Sequence, residues 1–287
     1  MGTYKIFVDT GADMLEDVAE KNGIGIIRFL SVFGEKSYVT GTEMTNDKFY
    51  QMLEESDTIP TTSQTPYADF YEQLKEASLS YDTVIYFALS SNASGQYNTA
   101  CMIRNEILEE DNPNADIRIF DTQTFSIYIS ATALYAKELL DDGMAVDEVL
   151  EKFREYINSW QCYILVDTLK YLEKGGRITK TSAIVGSLLD IKPVLTVKNG
   201  LIEPVEKLRG SKKLFKKLIG LIRENPDFDD ERCEFMVAHS NDEYGQEVKA
   251  LIKEEFGVDI KGYFELGPII GTHIGPGTLG VLFRIKK

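Results

Sequence analysis

Residues 83–89 read Thr-Val-Ile-Tyr-Phe-Ala-Leu, and residues 90–97 read Ser-Ser-Asn-Ala-Ser-Gly-Gln-Tyr. The first seven residues form a continuous apolar run, which predicts a buried strand. The next eight are mostly small and polar, and they lead into a helical pattern over Gly95–Glu110. A strand that passes through a short loop into a helix is the repeating unit of a parallel sheet, so this stretch favours an α/β fold.

The same alternation of strands and helices continues on both sides of this stretch. It predicts an N-terminal α/β domain, residues 1–160, with a mostly parallel sheet and helices on both faces. The other predicted strands of this domain are Tyr4–Val8, Gly25–Phe33 and Ile117–Phe120. The other predicted helices are Met14–Lys21, a helix that Thr45 caps and that runs to about Glu55, Tyr67–Ser78, Phe125–Asp141 and Val146–Trp160.

The C-terminal half has a different pattern. Asn199 and Gly200 separate two short apolar runs, which predicts a hairpin with a type I′ turn. Strands mixed with helices then indicate a separate α+β domain with a mixed sheet, residues 161–287. The remaining predicted elements are strands at Tyr163–Val166, Phe235–Ala238, Asp259–Phe264 and Leu279–Ile285, and helices at Lys212–Arg223 and Glu243–Phe256.

Composition restricts the partners. The chain has 287 residues and a net charge of −15, which argues against nucleic acid or an anionic membrane as the main partner. It has no apolar run of the roughly 18–20 residues that a membrane span needs, so at most a transient membrane contact is expected. Its three cysteines are far apart and form no CxxC pair, which is typical of a reduced, cytoplasmic protein.

The charge is unevenly distributed. The basic segment, Lys170–Lys217, carries 12 Lys and Arg against 4 Asp and Glu, a net charge of +8, and the rest of the chain carries −23. Such an asymmetry can mark a surface for an acidic or phosphorylated partner. The alternative is a solvated face balanced by nearby acidic side chains.

Signatures of catalysis and of cofactor binding are missing. The chain has no P-loop, no GxGxxG and no HExxH, and His239 and His273 are 34 positions apart, so we expect no metal and no cofactor. Asp9, Thr10 and Gly11 resemble an aspartic protease turn, but that chemistry needs two facing turns. Asp and Thr also follow the strands that end before Asp121 and Asp167, where capping is the simpler interpretation.

Two of the polar segments can bind an anion. The backbone N–H groups and the Ser94 hydroxyl lie where a helix begins, a position that suits a carboxylate. Thr62 and Ser63 precede another predicted helix and supply further hydroxyls. Ser and Thr at such positions also serve simply as helix caps, and for either segment alone capping is the simpler interpretation.

Taken in order along the chain, several motifs resemble the DegV family of bacterial fatty-acid-binding proteins. The resemblance runs nearly from end to end. The motifs are the Asp9-Thr10 turn, Thr-Thr-Ser-Gln at 61–64, Ser-Ser-Asn-Ala-Ser-Gly at 90–95, Tyr-Leu-Glu-Lys-Gly-Gly-Arg-Ile at 171–178, Ile-Lys-Pro-Val-Leu at 191–195, Lys-Leu-Arg-Gly at 207–210 and Gly-Thr-His-Ile-Gly-Pro-Gly at 271–277.

The resemblance implies a function. Such proteins bind one long-chain fatty acid, such as palmitate or stearate, between their two domains, and act as the acyl-carrying subunit of a fatty acid kinase. A separate ATP-dependent kinase protein then forms the acyl phosphate, so no catalytic residue is expected here. The residues matched to carboxylate binding are Thr62, Ser63, Ser94, Gly95 and His273, and those matched to the kinase-facing surface are Arg177 and Arg209.

Two positions depart from the pattern that this family commonly shows. Thr65 stands where a proline commonly follows Ser-Gln, and Gln96 stands where a threonine commonly follows Ser-Gly. These differences can reshape the mouth of the pocket, but they leave the hydroxyls of Thr62 and Ser94 in place.

Two other functions remain open at the level of sequence. One is a serine esterase that uses Ser94 and His273 with Asp9 or Asp121, although the first glycine of the GxSxG elbow is missing. The other is a carrier of another small organic anion. An apolar tunnel about 20 Å long would indicate an acyl chain, because burial of methylene groups drives its binding, and a short polar cleft would indicate something else.

Overall fold

The structure is a computed structural model, and it describes residues 2–178, 191–209 and 213–286. The chain divides into two compact units, Met1–Ile157 with Pro268–Ile270, and Asn158–Gly267 with Gly271–Lys287. The domain ranges 1–160 and 161–287 stay a prediction. The contact-based units differ from them chiefly because Pro268–Ile270 groups with the first unit.

The first unit contains two sheets. Its strands are β1 (Tyr4–Asp9), β2 (Gly25–Ile27), β3 (Leu30–Phe33), β4 (Lys36–Val39), β5 (Thr61–Ser63), β6 (Thr83–Ala88) and β7 (Asp116–Asp121). Its helices are α1 (Glu16–Lys21), α2 (Asn46–Glu55), α3 (Tyr67–Ser80), α4 (Gln96–Glu106), α5 (Ile127–Asp141) and α6 (Val146–Asn158).

The larger sheet of this unit has the order β2-β1-β6-β7, and all of its strand pairs are parallel, which confirms the predicted parallel sheet. Successive residues of a strand point to opposite faces of a sheet. Phe87 therefore packs on one face, where its ring stacks on Phe153 of α6 with centroids 4.1 Å apart. Tyr86 packs on the other face, against Phe70 of α3. Helices cover both faces.

The smaller sheet was not predicted. It is antiparallel with the order β4-β3-β5, and the predicted single strand Gly25–Phe33 is wrong because it is divided between β2 and β3. The chain leaves the parallel sheet at Arg28, whose guanidinium forms an ion pair with Glu16, while the Phe29 N–H donates to the Thr10 hydroxyl. Thr62 and Ser63 precede α3 as expected, but Thr61–Ser63 also forms the short strand β5, which was not predicted.

The second unit contains a mixed sheet. Its strands are β8 (Trp160–Leu165), β9 (Ile191–Lys198), β10 (Leu201–Arg209), β11 (Phe235–His239), β12 (Gly262–Glu265) and β13 (Leu279–Arg284), in the order β10-β9-β8-β13-β11-β12. Asn199 and Gly200 join β9 to β10 with φ angles of 50° and 71°, which confirms the type I′ turn. The helices are α7 (Lys170–Gly175), α8 (Leu214–Arg223), α9 (Asp242–Phe256) and α10 (Pro268–Ile274), although the first three residues of α10 group with the first unit.

Candidate functional site

The candidate site in the first unit begins at the carboxyl edge of its parallel sheet, where β1, β6 and β7 end. Asp9 ends β1 and is 1% exposed. Its carboxylate accepts hydrogen bonds from the Tyr86 hydroxyl at 2.7 Å, the Leu89 N–H at 2.8 Å and the Gly11 N–H at 3.0 Å. Burial raises the pKa of Asp9 to about 6, and these three hydrogen bonds oppose that rise. Asp9 therefore fixes the end of β6, the point from which the 90–95 loop departs.

A second carboxylate fixes the same loop from the other side. Asp121, the last residue of β7, accepts from the Ser91 N–H at 3.0 Å and from the Ser91 hydroxyl at 2.5 Å. It also accepts from the Gln123 N–H at 3.1 Å, as an aspartate does when it caps a turn. The hydrogen bonds of Asp9 and Asp121 thus go to backbone N–H groups and to the hydroxyls of Tyr86 and Ser91, which is the arrangement of loop anchors.

Ser94 lies at the end of this loop, immediately before α4. Its hydroxyl oxygen accepts from the Gln96 N–H at 3.2 Å, and its own N–H donates to the Ser90 carbonyl at 3.0 Å. Gly95 is the residue that precedes α4, and no side chain caps it, so the Ser94 hydroxyl closes the turn before the helix. A hydroxyl that accepts from a backbone N–H still has its own hydrogen to donate, so this turn and anion binding are compatible.

The structure brings the 61–65 segment and the beginning of α4 together. The Gln96 side chain donates through Nε2 to the Thr65 hydroxyl at 2.9 Å. The Thr99 hydroxyl donates to Gln64 Oε1 at 2.8 Å. Gly95 allows this approach, because a Cβ at its position would lie only 2.7 Å from Gln64 Nε2. The segment that carries Thr62 and Ser63 is thus tied to the turn that carries Ser94 and Gly95.

Thr62 and Ser63 occupy the edge strand β5. Thr62 is half-buried and lies opposite Ser31 of β3, whereas Ser63 is exposed and lies opposite Leu30. Adjacent residues of a strand point to opposite faces, so the two hydroxyls cannot both point to the same side of this sheet. Of these two residues, Thr62 is the less exposed to solvent.

His273 belongs to α10 in the second unit, where it lies half-buried beside Gly175. A Cβ on Gly175 would lie 2.6 Å from His273 Nδ1, so only glycine leaves room for the ring. Burial, and then the positive charge of Arg177, lower the pKa of His273 to about 4. The imidazole is therefore uncharged at neutral pH and can act as a hydrogen-bonding group. Its approach to the carboxylate site stays a prediction.

Arg177 and Arg209 lie in different surroundings. Gly176 follows α7 with a φ of 68°. Arg177 does not extend outward, because it is half-buried and its guanidinium donates back to the Gly175 carbonyl. Arg209 is exposed and ends β10. Residues 179–190 and 210–212 of the basic segment lie outside the described residues.

In the part of the chain that the structure describes, no cluster of His, Cys, Asp and Glu is suited to a metal ion. No helix in the same ranges has both the length and the apolar character to cross a membrane.

A polar cavity of about 290 Å³ lies near the starts of β6 and β7. Its lining includes Ser80, Asp82 and Asn112. This is the amino edge of the parallel sheet, whereas Ser94 and Gly95 lie beyond the carboxyl end of β6. The cavity is therefore separate from the candidate site.

Comparison with known proteins gives a consistent result. The sequence profile described as "Uncharacterised protein, DegV family" matches residues 3–286. A protein of Thermotoga maritima named "Fatty acid-binding protein" is 33% identical over 284 residues, which cover 96% of each chain.

Solved structures agree with this comparison. The crystal structure of DegV from Bacillus subtilis, described as a fatty acid binding protein, is 29% identical and superposes with a TM-score of 0.85 over 100% of both chains. A stearic acid-binding protein of Eubacterium ventriosum is 24% identical with a TM-score of 0.87 over 98% of both chains, which is a likeness of fold.

Proposed function

Because this chain belongs to the DegV family, we propose that it binds a single long-chain fatty acid in an internal apolar tunnel and presents the carboxylate to a separate ATP-dependent kinase. One observation of the structure carries the binding part. The segment of Thr62 and the turn of Ser94 come from distant parts of the sequence, yet hydrogen bonds join them beside the carboxyl edge of a parallel sheet. Ligands of α/β proteins commonly bind at this edge.

The chemistry of the site suits a carboxylate better than a phosphate. Thr62 and Ser94 are neutral donors, and the hydrogen bonds that join their segments are made by the neutral side chains of Thr65, Gln96, Gln64 and Thr99. Hydroxyl and N–H groups satisfy one negative charge without a counter-ion. A phosphate with two charges would call for Arg or Lys beside it.

The acyl chain supplies most of the binding energy. Each buried methylene contributes roughly 0.8 kcal/mol, so a chain of about 15 methylenes contributes on the order of 10 kcal/mol before ordering costs. Relatives of the chain are named for fatty acid binding, and the fold holds stearic acid in the Eubacterium ventriosum protein. Palmitate and stearate are therefore the ligands to test first.

The kinase part of the proposal rests on the resemblance of the motifs. The protein would be a carrier, and phosphoryl transfer would take place on its partner. The esterase alternative is less favoured, because Asp9 and Asp121 both hold backbone N–H groups of the 90–95 loop and its strand. Acylation of Ser94 by an activated ester, or ATP turnover by the isolated chain, would favour an enzyme over a carrier.

The test begins with the purified protein. Native mass spectrometry should detect one co-purifying fatty acid, and the delipidated protein should bind palmitate or stearate again. The double variant Thr62→Val with Ser94→Ala should bind much more weakly, since each charge-assisted hydrogen bond contributes about 1.5–3 kcal/mol.

A matched control makes the same two changes at exposed positions, Thr58→Val with Ser80→Ala. The control should bind like the wild type, and thermal melts should show that both double variants fold. Wild-type affinity in the Thr62/Ser94 variant would show that the head-group site is wrong. Absence of binding by the wild type would show that the function is wrong.

A further inference from the structure

Ser31 is a buried hydroxyl in the middle of the small antiparallel sheet. It is 0% exposed, and among the described residues its Oγ has no hydrogen-bonding partner. A hydroxyl buried without a partner destabilises a fold, and most buried polar side chains therefore have one. The position of Ser31 points to a partner that comes from outside the chain.

The register of the sheet places Ser31 beside the candidate site. Ser31 lies directly opposite Thr62 of β5 and opposite Tyr38 of β4. Directly opposed residues of antiparallel strands project to the same face, with Cβ atoms about 5 Å apart. The hydroxyls of Ser31 and Thr62 are therefore neighbours on one face of the sheet.

Two phenylalanines lie close to Ser31 along the chain. Phe33, two residues further along β3, shares its face, and Phe29 stands just before the strand. Phe29 is 3% exposed and belongs to the core of the first unit. The Phe33 ring packs edge-on against Phe49, with centroids 5.8 Å apart. Ser31 is thus a polar position in apolar surroundings, next to a residue that the proposed function assigns to the carboxylate.

We propose that Ser31 donates a hydrogen bond to the carboxylate of the bound fatty acid, as a third hydroxyl beside Thr62 and Ser94. This inference rests on the proposed function and extends its site by one residue. A carboxylate has two oxygens with about four lone-pair positions, so a third donor has a place to bind. Apolar surroundings strengthen such a bond. Ser31 therefore selects for the ionised acid over a neutral head group on the same chain.

The test compares two ligands on two variants. Delipidated wild type, Ser31→Ala and Ser37→Ala are titrated with palmitate and with hexadecanol, which has the same chain length and no carboxylate. Ser37 is the matched control, because it is exposed on the neighbouring strand β4 and lies opposite Val32, on the other face. Ser31→Ala should weaken palmitate binding about tenfold or more, with little effect on hexadecanol. Ser37→Ala should change neither.

Each other outcome contradicts the inference. Unchanged palmitate affinity in Ser31→Ala would show that Ser31 does not contact the carboxylate. The proposed function would stand in that case, because the wild type still binds the acid. An equal loss for palmitate and hexadecanol, with a lower melting temperature, would show a packing role. If the wild type binds neither ligand, the proposed function fails and Ser31 fails with it.

Discussion

At the scale of single residues, the two positions that depart from the family pattern are bonded to each other. Thr65 is 5% exposed and Gln96 is 0% exposed, and Gln96 Nε2 donates to the Thr65 hydroxyl. The Gln96 side chain also influences the pKa of the Tyr86 hydroxyl, which donates to Asp9. Buried polar side chains therefore connect the end of β1 with Thr65.

The Thr65–Gln96 pair can be tested by a double-mutant cycle. Gln96→Leu leaves the Thr65 hydroxyl without this donor in a buried site, which should lower the free energy of unfolding by about 1–3 kcal/mol. Thr65→Val together with Gln96→Leu should recover part of that loss, because no polar group then remains unpaired between them. Urea unfolding of the two single variants and the double variant measures the coupling. Strictly additive losses would show that the two side chains act independently.

These residues also mark the limit of what the sequence alone predicts at this scale. The hydroxyls of Thr62 and Ser94 were predicted as donors because they precede helical patterns. Ser31 was not predicted, because a serine inside an apolar run has no local signal, and its place opposite Thr62 follows only from strand pairing. Thr65 and Gln96 were seen as departures, but their contact spans 31 positions and follows only from the fold.

At the scale of elements, the sequence predicted correctly those helices, strands and turns that have a strong local pattern, and it missed a short strand that has none. Thr45 caps α2 by accepting from the Lys48 N–H, as expected from its place before a helical run. The parallel sheet and the type I′ turn were predicted for similar reasons, since long apolar runs and Asn-Gly are strong local signals. The three-residue strand β5 was missed, because its three polar residues show no alternation and pairing with β3 alone defines it.

The end of strand β10 allows a test of the proposed kinase partner. Arg209 ends β10 and is exposed, within a basic segment of net charge +8 in a chain of net charge −15. A guanidinium can bind a phosphate or carboxylate group of a partner through two parallel hydrogen bonds. Arg209→Ala should therefore keep fatty acid binding and lower acyl-phosphate formation in the presence of the kinase by about tenfold.

The control for Arg209 lies outside the basic segment. Arg232 is also exposed, but its ion pair with Asp229 places it elsewhere in the second unit. Arg232→Ala should leave the rate of acyl-phosphate formation unchanged, and the effect of Arg209→Ala should shrink as salt is raised. Arg177→Ala is a less selective test, because Arg177 also lowers the pKa of His273. Equal rates for the Arg209 and Arg232 variants would exclude Arg209 from the kinase-facing surface.

At the scale of the whole molecule, two buried groups make the stability depend on pH in opposite directions. Burial raises the pKa of Asp9 in the first unit to about 6, from about 3.8 in an unfolded chain. The contribution of Asp9 to the free energy of unfolding is therefore fully present below about pH 3.8 and is lost as the pH rises through 6. Burial lowers the pKa of His273 in the second unit to about 4, from about 6.5. The contribution of His273 to the free energy of unfolding is present above pH 6.5 and is lost as the pH falls towards 4.

Between pH 7.5 and pH 5.0 these two contributions oppose each other, so single variants should separate them. Native Asp9 binds a proton in this range and stabilises the fold, so Asp9→Asn should lose more stability on acidification than the wild type. His273 resists protonation at a cost to folding, so His273→Gln should lose less. Urea unfolding at the two pH values gives the change in the free energy of unfolding for each protein. In each variant this change should differ from that of the wild type by on the order of 1–2 kcal/mol. If both variants followed the wild type, neither group would titrate as its burial requires; a shift in only one would show which unit carries the pH dependence.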